Sequence, residues 1–209
     1  MFHQINTSKI SKSDLKSLIL IIGFMMAPIF VYALGVVLLS NPERKFSITD
    51  SYAYLLSFVV CFLAIYLSNL RHYIVIKEQQ LRKSAICLIL ALIYSLLLAI
   101  VLDFFSMYHT ASGNTLFHIE TILLAPFLEE IVFRGISIEY LKKHNIPENL
   151  IIAITSVMFG LSHMPSWIQI YTFILGVILS IVNLKERNIF YCILIHFGIN
   201  LSLVVFNFL

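Results

Sequence analysis

The chain has 209 residues, of which 60% are hydrophobic and 12% charged, and its mean hydropathy is +0.94. A soluble domain carries about a quarter charged residues, so this composition excludes an ordinary water-soluble fold. The net charge of +3 is spread over short loops rather than gathered in one patch, so no nucleic-acid footprint is present.

The apolar residues fall into seven runs, at 16–39, 52–70, 84–102, 117–140, 149–164, 167–184 and 189–209. Runs of this length predict an all-α, polytopic membrane helix bundle, a single integral membrane domain over 1–209. The part at 1–116 reads as N-terminal helices and the part at 117–205 as the motif-bearing core. The first run lacks a short apolar core ending in small residues, so it reads as an uncleaved anchor. Cys61, Cys87 and Cys192 all sit inside apolar runs without a CxxC pair, which predicts buried thiols.

Between the second and third runs lies "RHYIVIKEQQLRK" (Arg71–Lys83), an amphipathic, basic linker suited to anionic headgroups. With seven spans, eleven basic residues fall on one side: Lys9, Lys12, Lys16, Arg71, Lys77, Arg82, Lys83, Lys142, Lys143, Lys185 and Arg187. Only Arg44 and Lys45 fall on the other. The positive-inside rule then puts the N-terminus in the cytoplasm and the C-terminus outside.

The fourth run contains "LAPFLEEIVFRG" (Leu124–Gly135), two adjacent carboxylates and an arginine in an apolar setting. Ionisable groups at membrane depth cost several kcal/mol and persist when paired or facing a polar cavity. On a continuous α-helix Glu130 and Arg134, spaced i, i+4, can neutralise each other, whereas Glu129 projects about 100° away. His118 and Glu120, near the outer start of this run, are expected to be in water. The fifth run ends at His163, four residues after Phe159, with Pro165 beyond it. The seventh carries His196 and Asn200 on one helical face.

At about 1.5 Å per residue, Glu129 lies roughly 18 Å, Asn200 roughly 16 Å and His163 roughly 21 Å from the inner face. Similar depth on three helices makes one shared cavity plausible. Each residue alone has a plain structural reading, as a buried ion pair or an interhelical hydrogen bond. Together, one unpaired carboxylate, two imidazoles and an amide make a hydrolytic kit: a base for water and donors for an oxyanion. Glu129, His163 and His196 equally suit a His₂Glu metal site with an open position. Hydrolysis without a cofactor and hydrolysis with one divalent metal such as zinc both remain open. There is no HExxH, no GxGD and no GxSG loop to suggest another intramembrane protease.

"EEIVFRG" (Glu129–Gly135), "FGLSH" with Phe159 and His163, and "HFGIN" with His196 and Asn200 resemble the EExxxR, FxxxH and HxxxN motifs of the CPBP family. That family, also called Abi, comprises CAAX prenyl proteases and bacteriocin-processing or immunity proteins, and the resemblance covers about residues 117–205. It implies a membrane-embedded peptidase in which Glu129 activates water with His163 as partner. It further implies that His196 and Asn200 stabilise the oxyanion, with Glu130 and Arg134 structural. The abundant isoleucine suits a low-GC bacterium, which points to the bacterial plasma membrane and the peptide-processing or immunity branch. The expected partners are membrane lipid and a peptide or membrane-protein substrate. Two other readings compete: a non-enzymatic immunity or regulatory protein that binds a partner such as a sensor kinase, and a proton relay or transporter.

Overall fold

A computed structural model describes residues 16, 19–27, 30, 34, 55–56, 58–60, 62–63, 65–66, 70–78, 80–104, 118–163 and 166–208. Among them every regular element is helical and none is a strand. The described residues between 16 and 34 and between 55 and 66 are helical, and about half of the first two predicted spans lies outside the described set, as does Cys61. Two helices, Leu81–Ile100 and Ile168–Glu186, are long and apolar enough to cross a membrane, while Glu148–Leu161 and Ile189–Val205 are shorter.

Helix α1 (Leu81–Phe104) follows a 3-10 turn at Leu70–Tyr73. A long segmented helix then runs through a π-helical turn (Glu120–Leu124), α2 (Ala125–Glu130), a second π-helical turn (Ile131–Ile136) and α3 (Ser137–Lys143). The remaining elements are α4 (Glu148–Leu161), α5 (Ser166–Glu186) and α6 (Ile189–Phe208).

The sequence explains these breaks. Pro126 has no N–H to donate and cannot complete the regular turn before it, so the first widening falls there. Side chains add bonds to the carbonyls of the widened segment: Ser137 Oγ donates at 2.7 Å to Val132 O, which also accepts the Ser137 backbone N–H, and Asn183 Nδ2 donates to Arg134 O at 3.0 Å. The segmented helix ends in a Schellman motif at "KHNIP". Asn145 adopts φ 57°, its N–H reaches Lys142 O, and that of Ile146 reaches Leu141 O. Pro147 then prevents continuation and precedes α4.

Helices α4 and α5 pack as one pair and α1 and α6 as another. Glycine sets both distances of approach. A Cβ at Gly160 would stand 2.9 Å from the Gln169 carbonyl oxygen, and one at Gly198 2.9 Å from Ala91 Cβ. Small residues at such crossings are the usual device for packing helices in lipid. Thr155 Oγ1 and Ser180 Oγ, 3.0 Å apart, add a bond between α4 and α5. The Arg71–Lys83 linker is not merely solvated. Lys77 N–H donates to Asn188 Oδ1, Gln80 N–H to the Tyr191 hydroxyl, and Lys83 pairs with Glu186.

Around a largely apolar core, burial departs from that of a soluble protein in two ways. Leu92, Ile93, Leu96, Leu97 and Ile100 on α1 are about half exposed, whereas Glu130, Arg134, Ser137, Thr155, Ser180 and His196 are buried. An apolar exterior of this extent would be an aggregation hazard in water and is the ordinary state in hydrocarbon. Cys87 and Cys192 are buried and unpaired, as expected.

Candidate active site

The second π-helical turn is buried along its whole length, from Ile131 to Ile136. It sets Glu130 and Arg134, both 0% exposed, in an ion pair with Arg134 Nη1 3.1 Å from Glu130 Oε1. The pairing expected from i, i+4 spacing therefore forms. The regular α-helix assumed for it does not, because the backbone widens between the two residues. Arg134 Nη2 donates to Gly176 O at 3.4 Å, and the guanidinium lies 4.2 Å from the Phe159 ring centre. A cation against an aromatic face recovers part of what it loses by leaving water.

Glu129 faces elsewhere, and its side chain keeps 22% exposure. Its Oε2 lies 3.7 Å from His163 Nε2 and 3.9 Å from His196 Nε2. Three residues remote in sequence are thus brought together, as the similar depths of Glu129 and His163, and the place of His196 one turn from Asn200, suggest. Oε2 is buried and lacks a hydrogen-bond partner among the described residues.

Both imidazoles are oriented from behind. His163 Nδ1 is 2.8 Å from Phe159 O. A carbonyl can only accept, so Nδ1 carries the proton and the neutral ring turns a bare Nε2 towards Glu129. Ser162 Oγ donates to the same carbonyl at 2.7 Å and so caps the end of α4. The FxxxH spacing acquires a mechanical meaning here: residue i supplies the carbonyl that fixes the histidine at i+4. The Phe159 ring also packs edge-on against His163 and His196, at 4.9 and 5.7 Å between centroids. His196 Nδ1 approaches Glu130 Oε1 at 2.9 Å.

Asn200 sits one helical turn beyond His196, and its Nδ2 donates to Thr121 O at 2.9 Å. It therefore ties α6 to the first π-helical turn, and the same amide carries a second N–H. Glu120, expected in water, is instead buried at 2% exposure, because the turn that carries it packs against α6. His118 is half-buried. Met164 and Pro165 lie outside the described residues. Asn183 was not singled out from sequence although it holds the Arg134 carbonyl. The signal was there, since an amide in an apolar run needs a partner, but its place near the end of the run hid it.

As candidate metal ligands, Glu129, His163 and His196 are neighbours. Yet among the described residues no three His, Cys, Asp or Glu side chains form a set able to hold a metal ion as they stand. The orphaned Oε2 opposite two bare imidazole nitrogens is a set of acceptors, and it fits a hydrogen-bond donor. Polar atoms separated by more than 3.5 Å are commonly bridged by water.

Fold and site together define a helical membrane protein with a carboxylate–imidazole centre enclosed among its polar interior groups. Residues 111–202 match the family model described as type II CAAX prenyl endopeptidase Rce1-like. The matched segment carries all three motifs and supports the likeness to the CPBP family, a membrane-embedded family whose description is that of a protease. No curated protein and no solved structure matches the chain.

Proposed function

We propose that the chain is a multi-pass intramembrane endopeptidase of the bacterial plasma membrane, with its N-terminus inside and its C-terminus outside. Its proposed substrate is a peptide precursor or a membrane protein, in peptide processing or self-immunity. The observation that carries this reading is the unpartnered Glu129 Oε2 facing two imidazole Nε2 atoms at 3.7 and 3.9 Å.

A water beside Glu129 and His163 gives one hydrogen to the carboxylate and the other to Nε2, which leaves an oxygen lone pair for attack. Glu129 takes a proton as the water oxygen bonds to the carbonyl carbon. A positioned base of this kind contributes about 10²- to 10⁴-fold in rate. Asn200, through its second amide N–H, and His196, when Nε2 is also protonated, meet the developing oxyanion. Each such donor is worth roughly 10²- to 10³-fold. The proton on Glu129 then passes to the leaving nitrogen as the C–N bond breaks, giving a carboxylic acid and an amine.

The test compares bacteria expressing wild-type or Glu129→Ala chains at equal membrane abundance, by mass spectrometry of protein and peptide N-termini. New N-termini present with the wild type and lost with the variant are expected. An immunity or other phenotype that survives Glu129→Ala, with no difference in N-termini, would instead identify a non-enzymatic membrane protein.

A further inference from the structure

Glu130 has two partners, not one. Its Oε1 accepts from Arg134 Nη1 at 3.1 Å and stands 2.9 Å from His196 Nδ1. A carboxylate held against a guanidinium has only lone pairs to offer, so the proton in the shorter contact belongs to the imidazole. His196 is then the Nδ1–H tautomer in its neutral form, with a bare Nε2 that lies 3.9 Å from Glu129 Oε2. The Phe159 ring, at 85° to the imidazole, holds its plane.

We propose that Glu130 is a positioning residue for His196: it fixes the Nδ1–H tautomer and so aims Nε2 at the oxygen of Glu129. An ion pair that merely made Arg134 tolerable would not need the histidine on the same oxygen. When Nε2 gains a proton, the opposite N–H already points at a carboxylate, as in the orienting role of the third member of a serine-protease triad. Arg134 acts behind Glu130 by keeping it an acceptor. Glu129 and Glu130, adjacent in sequence, thus serve opposite nitrogens of the same ring.

This inference rests on reading Glu129, His163 and His196 as a hydrolytic centre, but its test needs no substrate. The full-length chain is labelled at its imidazole nitrogens, held in detergent micelles and studied by ¹⁵N NMR with the rings neutral. His196→Gln assigns the His196 signal among the seven histidines. In the wild type, Nδ1–H should outnumber Nε2–H at His196 by about tenfold or more, as expected for a hydrogen bond to a charged group. In the double variant Glu130→Leu/Arg134→Met this ratio should fall at least about tenfold. The His163 signal should not change, because its Nδ1–H rests on a backbone carbonyl. A wild-type His196 protonated on Nε2, or an unchanged ratio in the double variant, overturns the proposal. If the His163 signal is lost, the double variant has unfolded and the wild-type tautomer alone decides. Failure of the peptidase reading at Glu129 would leave this tautomer as it is, so the two failures are distinguishable.

Discussion

Helix α1 and the segmented helix are both apolar along most of their length, but different forces hold them in place. On α1 the buried residues Cys87, Ala91 and Ser95 recur every four positions and form a narrow seam of small side chains, with Gly198 of α6 against it. The rest of its surface is leucine and isoleucine, about half exposed. From Glu130 to Ile138 the segmented helix is buried on every side, and it is held by named polar bonds: Arg134 to Glu130 and Gly176, Asn183 to the Arg134 carbonyl, Asn200 to that of Thr121. In lipid, leucine gains little by leaving the hydrocarbon, so shape and polar pairing decide which helix goes where. The element with the catalytic candidate is accordingly the one with the most specific ties.

The largest effect should separate function from fold. Glu129→Gln keeps the size of the side chain but removes the base, and Oε2 has no bond to lose. A fall of about 10²- to 10⁴-fold in turnover is expected, with unfolding in micelles shifted by less than about 0.5 kcal/mol. A large loss of stability would mean that Glu129 is as structural as its neighbour. Next comes Arg134→Met, which leaves the Glu130 carboxylate buried against His196 without its cation. Removing one member of a buried pair costs about 3–5 kcal/mol. Removing both, in Glu130→Leu/Arg134→Met, should restore most of that stability in a denaturant titration without restoring turnover. If the double variant is as unstable as the single one, the ion pair itself, rather than the uncompensated charge, carries the segment.

The two helices also differ in how far the sequence discloses them. Helix α1 was legible almost to its ends, since a long apolar run in a charge-poor chain has few other readings. The Glu130–Arg134 pair was legible because spacing within one helix predicts which side chains meet. The grouping of Glu129, His163 and His196 followed from depth and from a family likeness. What stayed hidden depends on how separate helices approach one another. No spacing rule places the Glu130 oxygen on His196, the Asn200 amide on a carbonyl released by a π-helical turn, or Glu120 in the interior. Pro126 did mark the place where the helix could not stay regular, but not which side chain would fill the vacated bond.

The smallest effects test the seam directly. Gly198→Val places a Cβ 2.9 Å from Ala91 Cβ, closer than two carbons can pack, and neither backbone can withdraw without separating α1 from α6. Overpacking of this kind costs about 1–3 kcal/mol. Because His196 and Asn200 lie on α6, turnover should fall along with stability. Leu97→Ala, on the exposed face of α1, deletes most of a large apolar side chain yet should change stability by less than about 0.5 kcal/mol. Unfolding free energies in micelles, measured side by side, decide between shape and bulk hydrophobicity. If Leu97→Ala were the costlier substitution, α1 would be held by burial of its broad face against another surface, and the seam of small residues would not be what positions it.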